Sequence, residues 1–124
     1  MKIKTSELTG SVLDWAVAKC ANIEHYFDYG VVCLKGQPFD NNEHYWLPTQ
    51  NWSQGGPIIE REGMSLHLNN ARSYVRNGDW VATGLTTEIG PTPLVAAMRC
   101  FVASKLGDEV EIPEQVYTQM FDNA

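Results

Sequence analysis

Apolar positions recur along the chain with two different periods, and the changes of period mark its elements. Val12, Leu13, Ala16, Val17 and Cys20 repeat at helical spacing, which predicts a helix over about 10–22. Thr9 or Ser11 would cap it, and Ser11 with Asp14 resembles a capping box with the shorter acid. Tyr29 to Lys35 is β-branched and aromatic and reads as a strand. Gly36 to Pro48 reads as a loop turned by Asp40-Asn41-Asn42, with Tyr45 to Leu47 able to pair briefly.

From Thr49 as cap to Glu62, with Gly63 as the stop, a second helix is expected. Gly55-Gly56-Pro57 should weaken or bend it, and the alternative is a helix that starts only at Pro57. The glycines there suit a close approach to a neighbouring element. Met64 to Leu68 alternates as a half-buried strand, Arg76 to Asp79 forms a turn, and Trp80 to Leu85 forms the next strand. Ser73 to Val75 is a further candidate for pairing with it. Thr92 and Pro93 open a helix whose stripe is Leu94, Ala97, Met98, Phe101 and Val102, and Gly107 ends it. Pro113 opens a short terminal helix using Val116, Tyr117 and Met120, and residues 1–8 lead in or add an edge strand. This order predicts an α+β domain: a small, mainly antiparallel sheet of 3–4 strands with helices packed on it.

The 124 residues, 44% hydrophobic and 19% charged, fit one domain over 1–124 with a core of its own. The net charge of -6 is unevenly spread. Asp108, Glu109, Glu111, Glu114 and Asp122 fall in 107–124 with no base, so that segment reads as an acidic C-terminal extension and the remainder is near neutral. Broad phosphate binding needs a basic surface, so no direct nucleic-acid contact is expected. The start of the chain has no apolar run of the signal-peptide kind, and Leu94 to Leu106 is too short and too polar to span a bilayer. A cytoplasmic protein without membrane contact is expected.

Candidate chemistry is sparse. Cys20, His25 and Cys33, with Asp28, His44 and His67 as further options, have metal-ligand chemistry but not the close pairs of a zinc site. The three cysteines read instead as small buried apolar residues. Gln54-Gly55-Gly56-Pro57 lacks the Gly-Lys-Ser/Thr of a phosphate loop, and no Gly-x-Ser-x-Gly elbow occurs. Glu60 and Glu62 point in different directions on a helix and read as a solvated face. No catalytic residue, cofactor or metal is assigned, and an enzyme is the less favoured class.

Aromatics are more informative. Seven of the thirteen, from Tyr26 to Trp52, fall within 27 residues. Those of the 36–48 loop either pack as a small cluster beneath it or form a contact surface. The candidate interaction surface therefore comprises Phe39, Tyr45, Trp46 and Trp52, together with the acidic Asp108, Glu109 and Glu111.

Three segments carry a resemblance: LTGSVLDWAVAKC (Leu8 to Cys20), NWSQGGPIIEREG (Asn51 to Gly63) and GPTPLVAAMRCFVASKLGDEVEIP (Gly90 to Pro113). In this order they resemble the NinX-like family of small phage and prophage proteins, a family without established biochemical function. Trp80-Val81-Ala82 fits the aromatic-x-Ala that precedes the last segment. The chain also looks like a wider set of phage domains of α-β-α sandwich type, which implies helices on both faces of the sheet. Gly55-Gly56-Pro57 stands where wider relatives carry alanines, which implies a continuous, bent helix. The resemblance supplies a setting and no site residues: an accessory protein expressed in the bacterial host cytoplasm. The function expected is a non-enzymatic contact with a phage or host protein, with self-association into a homo-oligomer as a variant of it. The alternatives are a small enzyme or ligand-binding domain, and an acidic decoy of a nucleic-acid-binding host protein.

Overall fold

In a computed structural model of the chain, residues 1–37, 44–69 and 79–121 are described. Their elements, in chain order, are β1 (Lys2–Lys4), a 3-10 turn (Thr5–Glu7), α1 (Gly10–Cys20), β2 (His25–Asp28), β3 (Val31–Leu34), α2 (Trp52–Glu62), β4 (Ser65–Leu68), β5 (Trp80–Thr83), β6 (Thr87–Gly90), α3 (Pro93–Leu106), β7 (Glu109–Glu111) and α4 (Glu114–Phe121). Phe39, Asp40-Asn41-Asn42, the Ser73–Val75 candidate, most of the Arg76–Asp79 turn and Asp122 lie outside the described residues.

Helix α3 is the centre. Thr92 Oγ1 accepts a hydrogen bond from the N–H of Val95 at 3.1 Å, Pro93 opens the first turn, and Gly107 follows the last. The expected stripe is buried, but so are Val95, Ala96, Cys100 and Ala103. A helix apolar nearly all round must be covered all round. One side lies against the antiparallel sheet β4-β5-β6, while α1 and α2 pack on others. Gly90 makes the sheet contact close, since a Cβ there would sit 2.6 Å from the Ala96 amide nitrogen.

The α+β class with antiparallel pairing holds, and the pairing is divided over three small sheets. Beside β4-β5-β6 stand the pairs β1-β7 and β2-β3. The strand read over Tyr29 to Lys35 is the second arm of a hairpin. Tyr29 and Gly30, both at positive φ, make the two-residue turn between Asp28 and Val31. This is the backbone that a type I′ turn needs. Thr87–Gly90 was not anticipated as a strand, nor was Glu109–Glu111. The latter places Val110, and Ile112 after it, fully in the core while Glu109 and Glu111 face outward.

Helix α2 is continuous through Gly55-Gly56-Pro57 and is capped by Asn51, not Thr49. The Asn51 Oδ1 accepts the N–H of Ser53 at 3.0 Å, and Gly63 ends the helix in the left-handed conformation. Thr49 is buried for a different purpose. Its N–H donates to Asp14 Oδ1 at 3.1 Å, across 35 residues. Asp14 is therefore not half of a capping box. It turns inward from α1 and holds the segment that leads into α2. Beside it, Trp46 Nε1 donates to the Asp14 carbonyl at 3.0 Å, and the Trp46 N–H donates to the Val32 carbonyl at 2.8 Å.

The two glycines of α2 differ. A Cβ on Gly55 would sit 2.5 Å from the Pro48 carbonyl oxygen and 2.7 Å from Leu94 Cδ2, whereas one on Gly56 meets nothing within 4 Å. Gly55→Ala should therefore destabilise the fold by about 1–3 kcal/mol through overpacking. Gly56→Ala should stay within about 0.5 kcal/mol of neutral, because the gain in helix propensity is offset by the Pro57 ring crowding a Cβ before it. Urea unfolding of the pair checks this.

Burial raises the Asp14 carboxyl to about 6, although hydrogen bonds from Thr49 favour its charged form. The folded carboxyl thus keeps its proton to higher pH than the unfolded one. Its contribution to stability is complete below about pH 4 and is lost as pH rises through about 6, by up to about 3 kcal/mol. Asp14→Asn keeps an acceptor for Thr49 and carries no charge. Whatever its offset at pH 4, thermal melts from pH 4 to 7.5 should show the difference in Tm moving steadily in the variant's favour.

Candidate functional site

The aromatic group separates into core and surface. Phe39 lies outside the described residues. Trp46 is buried and tied by its indole and its amide, so it belongs to the core and leaves the expected surface. Tyr45 is half-buried and forms an isolated antiparallel bridge with Cys33. Its carbonyl accepts a hydrogen bond from Gln54 Nε2 at 2.7 Å, and Gln54 Oε1 accepts the Leu47 N–H at 2.7 Å. Gln54 thereby stitches the loop to α2 with both ends of its amide. Trp52, in the first turn of α2, is 53% exposed. Among the described residues the most exposed large apolar ones are Tyr29 at 86% and Leu85 at 85%, in the β2–β3 and β5–β6 turns.

The acidic group also separates. In β7 the pairing with β1 sets Glu111 opposite Lys2 and Glu109 opposite Lys4. Opposite charges at facing positions support such a ladder. Asp108 has no lysine in that register. Its carbonyl accepts the Thr5 N–H at 2.8 Å, and the Thr5 hydroxyl donates to the Gly107 carbonyl at 2.6 Å. Asp108 and Glu109 then line, with Lys4, Thr5, Ser6 and Glu88, an open depression of about 400 Å³. Glu111 is not part of it.

Glu88 and Arg99 are the residues that sequence reasoning missed. A second depression of about 530 Å³ shares Ser6 and Glu88 with the first, and adds Asp79, Thr87, Ile89, Gly90, Pro91 and Arg99. Arg99, from the middle of α3, is one of its lining residues. Its Nε donates to the Leu8 carbonyl and its Nη1 to the Ile89 carbonyl, each at 2.8 Å. The guanidinium thus joins the N-terminal segment to β6. Burial disfavours its charge, which Glu88 and Asp79 support. Burial likewise raises the Glu88 carboxyl, with Arg99 opposing the shift and Asp108 adding to it. Carboxylates from β6 and from the β7 turn therefore repel one another across a common groove. The alternation Thr87-Glu88-Ile89, close behind Gly84, was the local signal for this strand.

The remaining chemistry stays dispersed. His25 Nδ1 donates to the Ile23 carbonyl at 2.9 Å, His44 is buried and His67 is exposed. Among the described residues no three His, Cys, Asp or Glu side chains are grouped as metal ligands. Cys33 and Cys100 are buried, and burial pushes the half-buried Cys20 thiol up to about 11 against the pull of Lys19 and Lys105. A thiol so shifted is a poor nucleophile at neutral pH. No helix among the described residues is long and apolar enough to cross a membrane.

A family model described as bacteriophage P22, NinX, matches residues 4–105. The chain belongs to this phage family. Comparison with curated proteins gives no match.

The two tryptophans should respond in opposite ways to truncation. Trp46→Ala removes a buried ring and its hydrogen bond and should destabilise by about 3–5 kcal/mol. Trp52→Ala should change stability by no more than about 0.5 kcal/mol. Chemical denaturation of both variants checks the assignment.

Proposed function

We propose that this phage protein catalyses no reaction and acts by binding a phage or host protein in the bacterial cytoplasm. Glu88, Asp108 and Glu109 present the contact, and its target is a basic surface. The observation that carries the reading is the convergence of these three carboxylates on one open depression from two separate strands of the fold. Glu88 is held part-buried beside Asp108, with its proton affinity raised by both burial and repulsion. A cationic partner group placed there relieves that repulsion, which gives the surface electrostatic preference for lysine or arginine. Exposed Trp52 is a separate apolar contact available to the same kind of partner.

The test compares immobilised wild type with an Asp108→Lys, Glu109→Lys double variant and with Trp52→Ala in lysate of phage-infected cells, with light scattering on each. The expected result is a protein retained by wild type, lost with the charge-reversed variant, and released near 1 M salt, where the Debye length is about 3 Å. Retention unaffected by charge reversal and salt, or a monomer retaining nothing, overturns the reading.

A further inference from the structure

The groove beside Glu88 is also the open edge of a sheet. Asn69 donates its N–H to the Asp79 carbonyl at 2.8 Å, which fixes the parity of the central strand. Positions 79, 81 and 83 turn their backbone toward β4, and 80, 82 and 84 turn theirs toward β6. The Gly84 N–H, donated to the Thr86 carbonyl at 2.8 Å, agrees. Glu88 and Gly90, opposite Ala82 and Trp80, thus complete the ladder. Thr87 and Ile89 turn their amides and carbonyls the other way. Among the described residues no strand pairs with that edge. Arg99 takes the Ile89 carbonyl, which leaves the N–H and C=O of Thr87 and the N–H of Ile89 toward the depression that Thr87 to Pro91 line.

We propose that this edge receives an extended segment of the partner protein, added to β4-β5-β6 as a fourth strand and carrying Lys or Arg at alternate positions. The proposal rests on the charge-contact reading above and specifies the shape of what binds. Thr87 offers both bonds of an antiparallel pair and Ile89 offers one more, while the Arg99 guanidinium closes the groove at its far end. Side chains of one parity on the added strand fall on the α3 side of the sheet. That is the side of Glu88, since Gly90, of the same parity, packs on Ala96. There they meet Glu88, with Asp108 and Glu109 lining the same depression. Around the two depressions carboxylates outnumber the bases Lys4 and Arg99, so the charge presented beside this edge is net acidic. Side chains of the other parity lie beside Thr87 and Ile89 and suit small or β-branched residues. Backbone bonds supply affinity and the alternate positive charges supply selection, as in other strand-addition contacts.

The probe is a labelled peptide of about eight residues alternating Lys and Val, titrated by fluorescence anisotropy at low salt against the full chain. A second peptide has the same sequence with every backbone amide methylated, so that charge is kept and ladder bonds are lost. The expected result is binding of the first at least about ten-fold tighter than the second, with amide hydrogen exchange slowed at Thr87 and Ile89. Equal affinity for the two, abolished by Asp108→Lys, Glu109→Lys, removes the added strand and leaves the charge contact standing. Absence of binding by the unmethylated peptide also overturns the added strand, while the lysate experiment decides the charge contact by itself. A protein retained from lysate with no peptide preference separates the two readings in the same way.

Discussion

The burial of α3 on nearly every side is the constraint from which the architecture follows. A small domain seldom has enough other structure to cover one helix completely. Here a three-stranded sheet covers one side, α1 and α2 cover others, and β7 follows directly from the helix end. The sheets cover different surfaces: β4-β5-β6 lies on α3, β7 packs on α3 beside β1, and the β2-β3 hairpin packs on α1. Glycine at 90 and alanine at 96 and 97 allow the layers to approach within backbone contact.

A second joint holds the part of the chain that has little regular structure. Asp14, Trp46, Thr49 and Gln54 exchange hydrogen bonds between α1, the 44–51 segment and α2. Each of these polar groups is buried or half-buried with its partner in place. Unpaired, each would weigh against folding by a desolvation penalty comparable with a lost hydrogen bond. This joint sets where α2 begins, and through Gly55 and Pro48 it sets how closely α2 crosses Leu94.

What could be read from the sequence was local, and what could not was remote. Thr92, Pro93 and Gly107 announced α3 because cap and terminator lie within the helix's own span. The continuity of α2 was one of two readings, and the choice of Asn51 over Thr49 as cap depended on Asp14, 35 residues from Thr49. β6 is only four residues long and has too few periods to stand out. Trp46 and Trp52 are alike in composition and neighbourhood, yet one is core and the other surface. The acidic residues after α3 were visible as a charge imbalance. The lysines that face Glu109 and Glu111, and their companion Glu88, were not, because β1 and β6 reach them only through the folded chain.

The ladder between β1 and β7 joins residues 2–4 to residues 109–111. During synthesis β1 leaves the ribosome long before the strand it must meet. For that interval Ile3 has no Val110 to face, and the ladder cannot close until α3 has been made. Lys2 and Lys4 give that segment a polar face, and Glu111 and Glu109 come to stand opposite them when the ladder forms. β7 therefore acts as a latch: the ladder that holds residues 2–4 in place can close only once the chain beyond α3 exists.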